Sequence, residues 1–246
     1  MKNEHEWVPS KFVYHNGKLV ASSHPGEVAV GSRLIANTIA RFYHTHLSDH
    51  CRGKLIDLGC GKAPLYEAYK DLVESAICVD WPNASHGKDY LDFECDLTQE
   101  LPFQDQEFDT IILSDVLEHI PEPEKLLQEM YRILRNEGKA LINVPFFYWL
   151  HETPYDYYRY TEFGLRYLAE SAGFKVVTLT AMGGFPEVLT DITAKFLQFR
   201  PVIGKPLAHL IQAITAGLIK TKLGQTLSAR TGKVFPLGYF MVVEKV

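Results

Sequence analysis

The sequence predicts an α/β fold: a doubly wound, mostly parallel sheet with helices on both faces. Three observations predict it. Short apolar runs alternate with helical periods from Lys54 to Thr180. The first run, Lys54-Leu55-Ile56-Asp57-Leu58, passes directly into Gly59-Cys60-Gly61, a turn that lacks a Cβ at two of its positions. About twenty residues beyond that turn the second run ends in Asp80, the distance at which an acid on a second strand reaches a nucleoside ribose.

At 246 residues and 46% hydrophobic composition, the chain can bury a substantial core, and it reads as one domain over 1–246. Its net charge of -5 and pI near 6.1 leave no electrostatic footprint for a polyanion, which argues against nucleic acid as the principal partner. The stretch Met1 to Trp7 lacks the apolar core of a secretory signal, so a cytoplasmic protein is expected. Cys51, Cys60, Cys78 and Cys95 include no C-x-x-C pair, which suggests small apolar fillers rather than a disulfide framework or a zinc site. The longest apolar run, Leu207 to Ile219, is too short to span a bilayer.

In chain order, the stretch to about Ser23 has no sustained period and reads as an arm or a cap. Val28, Leu34, Ile35, Ile39 and Phe42 predict a helix within Gly26 to His46, completing an N-terminal region of 1–50. The core, 51–180, opens with the Lys54 strand and its turn, where Pro64 suits the first turn of a helix expected over Leu65 to Val73. Ala76 to Asp80 is the second strand. Tyr90 to Leu97 alternates apolar and acidic residues and reads as a third strand near the sheet edge. Phe108 to Leu113 is a fourth, buried strand, and Ser114 to His119 leaves its carboxyl end. Pro123 to Arg135 is an amphipathic helix closed by Asn136 to Gly138, followed by a fifth strand, Ala140 to Val144. Thr161 is a good N-cap for a helix through Ala172, Gly173 is its stop, and Phe174 to Thr180 is a sixth strand. Residues 181–234 are too long for an ordinary connection, and Leu207, Leu210, Ile211, Ile214 and Leu218 give them a helical period, so inserted helices are expected. A closing strand, Phe235 to Val243, lies within the final region 235–246.

Taken together, Asp57-Leu58-Gly59-Cys60-Gly61, Asp80, Asp96-Leu97 with Leu101-Pro102-Phe103, Phe108-Asp109 and Val116-Leu117-Glu118-His119 resemble the class I S-adenosylmethionine-dependent methyltransferases. The resemblance is to the branch akin to ubiquinone and menaquinone methyltransferases, and it covers roughly Lys54 to Thr180. It implies a seven-stranded Rossmann-like sheet with the last strand antiparallel. It also implies S-adenosyl-L-methionine as cofactor, with Gly59, Cys60 and Gly61 under its methionine part and Asp57 toward its amino group. Asp80 would hold the ribose hydroxyls, Asp96 the adenine amine with Leu97 packed nearby, and Trp81, Ser114 and Asp115 would complete the wall. Carboxylates are suitable acceptors for such donors. Ala63 departs from the pattern, standing where the family usually has a third glycine.

The competitors fit less well. In Gly59-Cys60-Gly61-Lys62-Ala63-Pro64, proline stands where the dinucleotide fingerprint G-x-G-x-x-G/A needs a small residue, and no G-x-x-x-x-G-K-[ST] occurs.

The acceptor side is expected in Pro145 to Thr161, rich in tyrosine and following the fifth strand. Its His, Pro-x-Asp-Tyr and Arg-Tyr-Thr patterns resemble bacterial methyltransferases of polysaccharide and cell-envelope gene clusters. An alcohol acceptor needs a base to take its proton, and His151 is the first candidate, oriented by Asp156 or Glu152, with Arg159 holding either the loop or an anionic acceptor. His119 is the alternative base or a scaffold residue. A metal is not expected, because His151-Glu152-Thr153-Pro154-Tyr155 lacks the second histidine of H-E-x-x-H.

The expected activity is methyl transfer to a small-molecule or glycan-precursor acceptor, on oxygen. The alternatives are a catalytically silent binding protein, or N- or C-methylation of a quinone-like or lipid-linked acceptor. The insertion admits several roles: a packed helical subdomain, a cover over the acceptor, a homodimer contact, or a peripheral membrane contact with Lys195, Arg200, Lys205, Lys220 and Lys222 toward anionic headgroups.

Overall fold

A seven-stranded sheet organises the chain, and the computed structural model describes residues 1–82 and 89–246. An N-terminal hairpin, β1 (Phe12–His15) and β2 (Lys18–Ala21), gives the arm a structure that its irregular sequence does not announce. Helix α1 (Arg33–His50) follows, starting later than the apolar period suggests because Val30–Ser32 forms a 3-10 turn.

The sheet is built from β3 (Lys54–Leu58), β4 (Ser75–Asp80), β5 (Phe93–Glu94), β6 (Phe108–Ser114), β7 (Leu134–Pro145), β8 (Phe174–Met182) and β9 (Gly238–Lys245). Their order is β5-β4-β3-β6-β7-β9-β8. The first five pair in parallel, and β9 lies antiparallel between β7 and β8. The expected architecture is therefore present. Because β4 and β5 lie on one side of β3 and β6 on the other, the strand order reverses at the β3/β6 boundary. A crevice opens at the carboxyl ends of strands at such a boundary.

Helices cover both faces. The amphipathic faces of α3 (Pro123–Ile133) and α4 (Glu162–Ser171) bury Leu126, Met130, Leu165 and Leu168 against Ile111 and Ile142 on one side. On the other, α1, the hairpin and the short α2 (Tyr66–Tyr69) bury Ile39, Tyr43, Phe12 and Tyr69 against Leu55, Ile112 and Phe240. All four cysteines are buried.

Several boundaries differ from the sequence expectation. α2 is a single turn, shorter than Leu65 to Val73. β5 shrinks from Tyr90–Leu97 to two residues, because the Asp92 carboxylate takes the Cys78 amide at 2.8 Å and the chain turns at Asp96 to satisfy Thr98. α3 stops at Ile133 and β7 begins at once. The expected closing turn Asn136 to Gly138 lies inside β7 as an irregularity in its pairing with β6.

The insertion is helical, as expected: α5 (Phe185–Gln198), α6 (Gly204–Leu218) and α7 (Lys222–Thr231). Leu207, Leu210, Ile214 and Leu218 face solvent, while small and polar residues, Gly204, Ala208, Gln212 and Thr215, make the inner face of α6. Lys195, placed toward headgroups by the sequence reading, is buried, ion-paired with Asp191 and stacked 3.5 Å from the Tyr148 ring centroid.

Candidate active site

A cleft of about 570 Å³ lies at the carboxyl ends of β3, β4 and β6, where the strand order reverses. Gly59 and Gly61 form its floor in left-handed conformations, with φ of 72° and 54°. A Cβ at Gly59 would come within 2.4 Å of the Val116 side chain, so the turn is closed to any other residue. Ala63 also has positive φ, 49°, and its methyl is buried; the position shares the glycine geometry without the glycine.

Asp80 leaves the end of β4 and accepts the Gly61 amide at 2.7 Å through one oxygen and the Trp81 amide at 2.7 Å through the other. Across the cleft, one oxygen of Asp96 is fixed by the Thr98 amide and hydroxyl at 2.9 and 2.8 Å. Asp115, in a left-handed conformation past β6, takes the Asn143 amide and the Lys11 ammonium, the latter at 2.9 Å. Gly59, Cys60, Gly61, Asp80, Trp81, Asp96, Leu97, Ser114, Asp115 and His119 all border this one cavity.

Asp57 does not. It is buried beneath the turn, 3.2 Å from the Tyr69 hydroxyl that donates to it, and burial pushes its pKa up to about 7, with Asp80 adding to the rise and Tyr69 opposing it. Its position supports the turn from below rather than facing the cavity.

The chain ahead of α1 supplies the missing wall. Ser10, Lys11, Gly26 and Glu27 border the cleft, Glu27 receives Lys62 at 2.9 Å, and the Trp7 indole donates to the Ala63 carbonyl at 3.2 Å. Burial lowers the Lys11 pKa, but Asp115 above all, with Tyr148 and Glu118 adding less, outweighs it and raises the pKa. No local signal marks these residues, because they meet the turn only through the fold.

The acceptor loop after β7 brings the expected residues together: Glu152 borders the cavity with Tyr155 and Tyr157, while His151, Asp156 and Arg159 lie one layer behind its wall. Arg159 grips both oxygens of Asp156, the Nη2 contact at 2.7 Å, and donates to the Trp149 carbonyl at 3.0 Å. Its other contacts are also within this loop, to the Tyr148 and Tyr158 carbonyls. The guanidinium keeps Asp156 well below the usual carboxylate range. Asp156 in turn lies 3.2 Å from His151 Nδ1, whereas Glu152 lies toward His119, 3.9 Å from its Nε2.

His151 Nε2 faces Glu118 at 3.6 Å. Burial alone would lower the His151 pKa, yet Glu118 and Asp156 raise it. Glu118 is 0% exposed, neither of its side-chain oxygens has a hydrogen-bond partner, and burial raises its pKa. His119 stands in front, 4.7 Å from the His151 ring, with Nδ1 2.9 Å from the Tyr155 carbonyl. A carbonyl can only accept, so Nδ1 donates in that contact, and Nε2 is turned toward Glu118 and Glu152 at 3.8 and 3.9 Å. Glu118, His119 and His151 each offer one ligand atom within 4.8 Å of the others, so the same cluster has the donor set for a small divalent ion, although no H-E-x-x-H is present.

Residues 56–142 match the family model described as methyltransferase domain. Among curated proteins, the ubiquinone biosynthesis O-methyltransferase of Coxiella burnetii is 28% identical over 102 residues, 37% of this chain and 44% of that protein. Its namesake from Idiomarina loihiensis is 27% identical over 112 residues, 42% and 46% of the two chains. The chain spans less than half the length of these relatives. Among solved structures, a SAM dependent methyltransferase from Archaeoglobus fulgidus superposes with a TM-score of 0.54 at 19% identity, covering 88% of this chain and 93% of the other. The [4+2]-cyclase SpnF superposes equally well, at 0.54 and 16% identity, covering 85% and 82%. At such identities the likeness is one of fold.

Proposed function

We propose that this chain, a class I methyltransferase fold whose residues 56–142 match the methyltransferase domain, moves a methyl group from S-adenosyl-L-methionine to an oxygen of a small-molecule or glycan-precursor acceptor. The observation that carries the proposal is the shared cavity: the glycine turn, Asp80 and Asp96 border the same cleft as the His119 side chain. When bound, S-adenosyl-L-methionine supplies an electrophilic methyl on sulfur and leaves as the thioether.

The protein's part is to place, desolvate and deprotonate. Asp80, between two amides, is positioned for ribose hydroxyls, and Asp96 for an exocyclic amine. Gly59 and Gly61 let the methionine part lie against the backbone. His119 Nε2 takes the acceptor's proton as the new carbon–oxygen bond forms. Glu118, His151, Asp156 and Arg159 then act behind it as a charge-compensating row, so His119 rather than His151 is the base. We read the protein as cytoplasmic.

Calorimetry with S-adenosyl-L-methionine and its demethylated product tests the cofactor reading, and binding of neither defeats it. Radiolabelled methyl transfer into extracts of the native cell then identifies the acceptor. His119→Ala is expected to keep cofactor affinity while losing about a hundredfold or more in turnover. Full turnover in that variant would remove His119 as base. His151→Ala is expected to shift the pH profile of turnover while leaving cofactor affinity intact.

A further inference from the structure

The inserted helices are built inside out. The solvent-facing stripe of α5 is Phe185, Leu189, Ile192 and Phe196, continued just past its end by Phe199. On α6 the outer stripe is Leu207, Leu210, Ile214 and Leu218. The polar groups lie inside. Asp191 is ion-paired with Lys195, Thr190 shares a hydrogen bond with Thr215 at 2.6 Å, and the Gln212 amide donates to the Val30 and Ala208 carbonyls at 2.7 and 3.0 Å.

A helix pair packed in water shows the reverse arrangement, apolar within and polar without. Small and polar residues between helices, with large apolar side chains outside, suit surroundings of hydrocarbon. Among the described residues no helix is long and apolar enough to cross a membrane, so such a face lies along a bilayer rather than through it.

Charge selects the occupant. From Ile192 to Val243 the chain has seven basic residues and no acid, although its net charge is -5. Lys195 is buried; Arg200, Lys205, Lys220, Lys222, Arg230 and Lys233 are exposed around the apolar stripes. A second copy of this chain would oppose like charges across the interface, whereas an anionic headgroup layer would complement them. Trp149, its ring 5.8 Å from that of Phe199, and the exposed Leu150 extend the patch to the loop that carries His151.

We propose that α5, α6 and α7, with Trp149 and Leu150, form a surface that lies on an anionic lipid bilayer, its apolar stripes at the acyl boundary and its cations among the headgroups. The surface is separate from the cofactor cleft, and its binding to lipid stands or falls independently of the transfer reaction. If both hold, the acceptor loop borders the bilayer plane.

The test is co-flotation of the full chain with vesicles of phosphatidylglycerol and phosphatidylcholine, against vesicles of phosphatidylcholine alone. The chain is expected to float with the anionic vesicles and to be released by salt. Substitution of Lys205, Lys220 and Lys222 by Gln is expected to weaken binding about a hundredfold, at roughly fivefold per charge. Leu210→Ser with Ile214→Ser is expected to weaken it about tenfold or more, and since both side chains are exposed, circular dichroism of the variant should be unchanged. No flotation of the parent chain with anionic vesicles at low salt overturns the proposal. So does equal binding to both vesicle types, or a dimer by light scattering that the Leu210 and Ile214 substitutions dissociate.

Discussion

Asp57 shows how a single buried group sets a pH response. Its folded pKa, about 7, lies above the ordinary 3.8, so the folded chain holds this proton more tightly than the unfolded one. The resulting stability is present in full below about pH 4 and is lost as the pH rises toward 7. Asp57→Asn is therefore expected to flatten the melting temperature between pH 4 and 7, and an unchanged slope in the variant would contradict the assignment. At Gly59 the constraint is steric. Gly59→Ala adds the cost of positive φ to a 2.4 Å collision with Val116, and a loss of about 2–3 kcal/mol in denaturant unfolding, together with loss of cofactor binding, is expected. These two positions were conspicuous in the sequence because glycine and a strand-borne acid carry local meaning. The order of His119 and His151 was not: both follow strands, and only the fold, which puts His119 in the cleft wall and His151 behind it, shows which stands in front.

Elements whose apolar period and caps agree were legible almost to the residue. Thr161 accepts the Gly164 amide at 3.1 Å and starts α4 where an N-cap should. Thr161→Ala is expected to cost about 1 kcal/mol, roughly 2–4 °C in thermal unfolding of a chain this size, and no change would show that the cap is redundant. Elements set by distant partners were harder to read. β5 is short because Asp92 satisfies a neighbouring strand with its side chain, and β7 starts early because it follows β6 rather than its own Asn136 to Gly138 turn signal. α6 is legible as a helix, but its facing is not. A period reveals which residues share a stripe, but whether that stripe meets protein or another apolar phase depends on what surrounds the helix.

On the scale of the molecule, the sheet order was legible because alternating strands and helices with short links admit few topologies. The cleft wall was half legible. Its floor comes from one continuous stretch, while its roof comes from the arm, held by Lys11 to Asp115, Lys62 to Glu27 and Trp7 to Ala63. Those contacts join residues far apart in sequence, which no local pattern encodes. Lys11→Met removes one charge-assisted clasp and is expected to weaken cofactor binding about tenfold by calorimetry, with unchanged affinity refuting the arm's part in the site. The arm also has a kinetic meaning. If a nucleoside has to displace the arm both on arriving and on leaving, each catalytic cycle includes two openings of the roof. Where spent cofactor departs more slowly than methyl transfer occurs, the first turnover runs ahead of the rest. Rapid-quench measurement should then record a burst of product equal to the enzyme present, diminished in Lys11→Met as the roof loosens.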